Sequence, residues 1–159
     1  MKTREGMNAM AKFEANQVAD VLAIHQVINE WAFEMDVNNG LTMAPLLTED
    51  CQYVVRGECR DGRDAVVAFY TGRLGEFPDG PPIHRHALAN QRVTFKSADE
   101  ARCDFNLTYF SSVVTKMGAD VADPLSYADV WMDCRREADG HWRIASFDSK
   151  PVFVRSAKP

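Results

Sequence analysis

Residues 84–96, HRHALANQRVTFK, open a run of four segments that decide the fold. The other three are ARCDFNLTYFSSVV (101–114), SYADVWMDCRRE (126–137) and HWRIASFDSKPVFV (141–154). All are rich in Val, Phe, Tyr, Trp, Thr and Ile, the residues that fit a pleated, half-buried surface. Turn formers separate them: Ser97-Ala98-Asp99-Glu100, Met117-Gly118-Ala119-Asp120 and Ala138-Asp139-Gly140. The pattern predicts an antiparallel meander whose strands, at about 10–14 residues, are long for an ordinary sheet. Long antiparallel strands bend, and a bent sheet wraps a pocket.

Upstream, Phe77-Pro78-Asp79-Gly80-Pro81-Pro82 is a loop by composition. Before it the spacing predicts a helix over 63–75, burying Val66, Val67, Phe69, Tyr70 and Leu74 and capped by Asp61 or Gly62. Residues 51–55 read as a short strand that turns at Gly57 and returns through Cys59-Arg60. A short helix is expected over 41–47, on Leu41, Met43, Leu46 and Leu47. The first helix, 17–37, aligns Val18, Val21, Leu22, His25, Ile28, Ala32 and Met35, with Trp31 and Phe33 widening the apolar side. Asn38-Asn39-Gly40 stops it, since Asn and Gly tolerate the left-handed cap. The expected class is α+β: three N-terminal helices on one side of a curved antiparallel sheet. One domain, 17–155, follows a polar arm, 1–16, and precedes a tail, 156–159.

Composition narrows the function. The chain has 159 residues, with Lys+Arg 18 against Asp+Glu 23 and a net charge of −5. Its basic residues form no stripe, so neither nucleic acid nor a membrane surface is an expected partner. No apolar run reaches the roughly 20 residues that span a bilayer, and the first residues lack a signal-peptide core, so a cytoplasmic location is expected. The four cysteines, Cys51, Cys59, Cys103 and Cys134, form no CxxC pair and read as free thiols.

Several residues are candidates for chemistry. Asp36 ends the first helix at the edge of its apolar side, where the negative end of the helix dipole disfavours a carboxylate. Read alone, it is equally an exposed turn acid. On a strand His84, His86, Leu88 and Asn90 share one face, a half-polar wall. An imidazole held by a carboxylate becomes a better proton acceptor in a fixed tautomer; read alone, each His is also a satisfied structural residue. The His84-x-His86 spacing admits a metal, but Asn90 stands where a third ligand is wanted and His141 lies in a turn, so no metal is expected. Tyr53, Tyr109 and Tyr127 lie on strands, and a phenol in an apolar cleft can stabilise developing negative charge. Asp129 shares a face with Tyr127, and a carboxylate in mid-strand is either solvent-facing or paired, with Arg56, Arg92 and Arg143 as partners to hand.

Taken in order, certain stretches resemble the SnoaL-like branch of the nuclear transport factor 2-like superfamily over about residues 17–155. They are Trp31-Ala32-Phe33-Glu34-Met35-Asp36, Leu46-Leu47-Thr48-Glu49-Asp50-Cys51, Arg60-Asp61-Gly62-Arg63-Asp64-Ala65-Val66, His86-Ala87-Leu88-Ala89-Asn90, Tyr127-Ala128-Asp129 and Asp139-Gly140-His141-Trp142-Arg143-Ile144. The resemblance implies a cone-shaped sheet closed by helices around an apolar pocket. Scytalone dehydratase and hexachlorocyclohexane dehydrochlorinase belong to that branch. Their base is an Asp at the end of the first helix paired with a His at the start of a long strand, which match Asp36 and His86.

The expectation is a cofactor-independent lyase for a small hydrophobic, aromatic or cyclic molecule. His86 and Asp36 abstract a proton while water, halide or a small aldehyde leaves. Trp31, Tyr53, His84, Asn90, Tyr109, Tyr127 and Asp129 are the expected substrate contacts, and residues 115–125 a candidate lid. The alternatives are an isomerase, a hydrolase, or a non-catalytic module such as the small subunit of a ring-hydroxylating dioxygenase. Val113, Val130, Trp131 and Phe153 are expected on the outer face of the sheet, where they would be covered in a homodimer or homotrimer.

Overall fold

A computed structural model describes residues 13–112 and 123–155. The candidate lid lies mostly outside the described residues, as do most of the arm, the tail and Val113.

Helix α1 spans Ala15–Asn38. A capping box starts it: the Gln17 side chain accepts the Glu14 backbone N–H at 3.0 Å, and the Glu14 side chain accepts the N–H of Gln17. Asn39, at φ 56°, closes it in the left-handed conformation. The buried face is Ile24, Val27, Ile28, Trp31, Ala32 and Met35. This stripe is rotated from the one read in the sequence. Val18 and Leu22 are 49% and 65% exposed, because the helix packs across β3 and β6 on its other side.

The expected second helix is only a 3-10 turn, Ala44–Leu46. A helix over 41–47 would need residue 45 to donate its N–H to the Leu41 carbonyl, and Pro45 has none; the chain passes straight into β1, Leu47–Val55, four residues earlier than the sequence suggested. Strand β2 spans Glu58–Asp61, α2 Arg63–Arg73 and a second 3-10 turn Leu74–Glu76. The long strands are β3 (Ile83–Phe95), β4 (Glu100–Ser112), β5 (Ser126–Arg136) and β6 (Trp142–Val154). Two α-helices thus replace the expected three.

The six strands form one curved, unclosed sheet in the order β2-β1-β6-β5-β4-β3. It is mixed rather than antiparallel, since β1 runs parallel to β6 with Tyr53 opposite Phe147. The two strands are far apart in sequence, so no local turn sets their relative direction. The meander β3–β6 is antiparallel throughout.

The core fills the space between α1 and the concave face. Ala101, Cys103, Phe105 and Leu107 on β4 and Ala128, Val130, Met132 and Cys134 on β5 point inward at every second position. Val130 is therefore a core residue, 1% exposed, and not an outer-face residue as expected; Phe153 is 69% exposed. Trp31, 2% exposed, lies 5.3 Å from the Phe147 ring, which stacks on Tyr53 at 4.5 Å. Removing a side chain so placed costs about 3–5 kcal/mol. Among the described residues no helix is long and apolar enough to cross a membrane.

Candidate active site

Asp36 sits in the last turn of α1, where its carboxylate needs donors to offset the negative helix end. His86 supplies them. Its backbone N–H reaches both carboxylate oxygens at 3.0 Å, and its ring Nδ1 lies 2.6 Å from Oδ1. Both side chains are largely buried, 13% and 11% exposed. With Nδ1 donating to the carboxylate, the tautomer leaves Nε2 with its lone pair on the opposite edge of the ring. The ring is held edge-on by Trp31 at 5.6 Å and flanked by Tyr109 at 4.9 Å.

His86 lines a cavity of about 560 Å³ between α1, α2 and the concave face. Trp31, Tyr53, His84 and Tyr109 line it as well. Tyr109 Oη and His84 Nδ1 are 2.7 Å apart. Burial, reinforced by the neighbouring His86, holds the His84 imidazole below its usual 6.5. Tyr53 is fully buried, and its hydroxyl accepts from Trp31 Nε1 at 2.8 Å and from the Tyr70 hydroxyl at 3.2 Å. Burial pushes both phenols above their usual 10, so they stay protonated.

Six of the nine residues singled out in the sequence thus gather here: Asp36, His86, Trp31, Tyr53, His84 and Tyr109. Asn90, Tyr127 and Asp129 do not. Asn90 has φ 58° at a register shift between Ala89 and Arg92, and the extra residue reverses which positions point inward. Its amide donates instead to Asn106, which donates to Asp129, both at 2.9 Å, in a groove on the outer face. On β5 the inward positions are Ser126, Ala128 and Val130, so Tyr127 and Asp129 face outward, and Tyr127 packs 6.1 Å from the Phe153 ring. None of the three is a contact of this cavity.

Other residues of the site carry no sequence signal of their own. Tyr70 and Arg73 enter from α2. Tyr70 reads as core, and Arg73 as a routine cation at a helix C-terminus. Glu34 is 7% exposed and anchors the end of α1. Its Oε1 accepts the Thr42 N–H at 2.6 Å and the Thr42 hydroxyl at 2.8 Å, while Oε2 accepts the Asn38 amide at 2.6 Å.

By sequence, no curated protein matches the chain. Solved structures share its fold. Hexachlorocyclohexane dehydrochlorinase LinA-type3 from Novosphingobium barchaimii is 16% identical, with TM-score 0.71 over 88% of this chain and 91% of that one. A scytalone dehydratase candidate from Novosphingobium aromaticivorans is 21% identical, with TM-score 0.69 over 90% and 94%. An NTF2-like protein of cystatin-like fold from the same organism is 20% identical, with TM-score 0.69 over 86% and 84%. At these identities the likeness is one of fold. The SnoaL-like domain family matches residues 16–148, most of the chain, and the protein belongs to that family.

Proposed function

We propose that the protein is a cofactor-independent lyase in which His86 Nε2 is the general base. The observation that supports this reading is the 2.6 Å contact between His86 Nδ1 and Asp36 Oδ1, in a cavity walled by aromatic rings. Asp36 fixes the tautomer and stabilises the imidazolium that forms when Nε2 takes a proton from carbon or hydroxyl. A leaving group (water, halide or a small aldehyde) departs from the neighbouring carbon. The Tyr53 O–H donates to a substrate oxygen and stabilises the charge that develops there. Trp31, Tyr109 and Phe147 hold a cyclic or aromatic skeleton. A base of this kind contributes about 10²–10⁴-fold, and orientation in the cavity supplies the rest.

The dehydrochlorinase named above shares the fold, which is consistent with elimination chemistry. An isomerase would use the same base and the same Tyr53 donor. Product mass separates the readings: elimination loses a fragment, isomerisation leaves the mass unchanged and hydrolysis adds water. Incubation with a panel of cyclic halides and alcohols, read by mass spectrometry, is the test. Products of unchanged mass overturn the lyase reading, and activity in His86→Ala overturns the base.

The proposal includes self-association. Val152, Phe153 and Val154 at the end of β6 are 44%, 69% and 66% exposed, an apolar strand end suited to a second copy.

A further inference from the structure

Arg73, the last residue of α2, lines the cavity beside Tyr70, His84 and Tyr109. Its Nε is buried and has no hydrogen-bond partner. Arg135, Arg136 and Arg143 are paired with Asp50, Asp20 and Asp139, and Arg56, which also lines the cavity, is solvent-exposed. Arg73 has only the Phe69 ring, 5.9 Å from its guanidinium carbon, among the described residues. The nearby acceptors of the cavity have other partners: Tyr53 takes the Tyr70 hydroxyl, Tyr109 is joined to His84, and Asp148 Oδ1 takes the Ser149 N–H. A cleft of about 20 Å³ on the other side of Arg73, between Met35, Leu74 and Phe77, has room for about one water and no ligand. A guanidinium keeps its charge at any physiological pH and offers a planar fork that matches a carboxylate or an aryl oxide. The Nε–H is buried without an acceptor on a side chain that is half-buried at the cavity wall, and an anionic oxygen there would satisfy it.

We infer that the cavity takes a substrate bearing an anionic oxygen on a cyclic or aromatic skeleton, with Arg73 binding that oxygen while the carbon to be deprotonated lies at His86 Nε2. The inference rests on the reading of this cavity as the substrate site. It narrows the substrate from hydrophobic to amphiphilic: an aromatic carboxylate or a phenolate.

Binding tests it without turnover. The purified protein is titrated calorimetrically with benzoate against benzamide, and with 4-nitrophenolate against nitrobenzene. The anion of at least one pair is expected to bind about 10- to 100-fold more tightly than its neutral partner. The pair that shows the preference tells carboxylate from phenolate. Arg73→Gln should erase the preference while leaving the neutral probe's affinity unchanged, and Arg73→Lys should retain part of it. Equal affinity for anion and neutral partner in the native protein, or no binding of either anion at millimolar concentration, overturns the inference. So does an equal loss for both partners in Arg73→Gln. His86→Ala keeps the two claims apart. Retained anion preference with lost turnover supports both, whereas retained preference with retained turnover removes the base and leaves the Arg73 anchor standing.

Discussion

The backbone N–H and the ring Nδ1 of His86 converge on one carboxyl group, that of Asp36, at 3.0 Å and 2.6 Å across 50 residues of chain. Because the main chain is held as well as the ring, the imidazole has little freedom to swing. Asp36→Asn replaces one acceptor oxygen by a donor NH₂ that faces an N–H, so both orientation and tautomer are lost. If the pair is the base, kcat falls by about 10⁴-fold in Asp36→Asn and about 10²–10⁴-fold in His86→Ala. The fold should survive both, as near-native far-ultraviolet circular dichroism would show.

Glu34 acts two residues upstream. Its carboxylate closes α1 through two hydrogen bonds from Thr42 and one from the Asn38 amide. Glu34→Ala removes the acceptors and leaves the Thr42 N–H to find water. The expected loss is about 1–3 kcal/mol in urea unfolding, with Glu34→Gln milder. A cost indistinguishable from zero would mean that the loop is held by other contacts.

Much of this architecture was legible in the sequence, and the misses share a cause. Strand positions and turns followed from side-chain type and punctuation, which are local. The 3-10 turn at Ala44–Leu46 defeated the helix expectation through Pro45. The parallel pairing of β1 with β6 and the rotated face of α1 depend on what each element meets in space, which no window of sequence contains. Asn90 shows the limit best. Alternation from His84 and His86 put it in the cavity, but one bulged residue with positive φ sent it to the other face. The same alternation, counted from Ala128, turned Tyr127 and Asp129 outward. Arg73 could not have been found, since its distinction is the lack of a partner rather than any motif.

His84 makes stability depend on pH. Burial, then the charge of His86, then that of Arg73 hold its folded-state imidazole below the usual 6.5, with Asp36 opposing. The unfolded chain therefore binds a proton first as pH falls. The contribution is fully present above about 6.5 and is lost as pH drops toward the lower folded value. His84→Gln should flatten the fall in melting temperature as pH drops below about 6.5; an unchanged slope would assign that fall to other groups.

The thiols divide sharply. Cys51, Cys103 and Cys134 are buried, and burial pushes Cys51 to about 12 and Cys103 to about 11, with Cys134 also raised. Cys59 alone is exposed. An aromatic disulfide reagent at neutral pH should titrate one thiol in the native protein and all four in denaturant, since the thiolate is the reactive form. Fast reaction of a second thiol would show that the core opens readily.

Self-association is checked by light scattering. The expected mass is two or three times 17.9 kDa, and Phe153→Asp should shift it toward the monomer. A monomer at micromolar concentration would leave the end of β6 without the assigned role.

Helix α1 rests across β3, one of the two edge strands of a sheet that never closes into a ring. Asp36 rides the helix and His86 rides that edge strand. A helix lifted from the rim by a couple of ångströms would keep its ellipticity yet fall silent toward substrate. If the pair is the base, turnover is a gauge of docking, and gentle denaturation should extinguish activity before the chain melts.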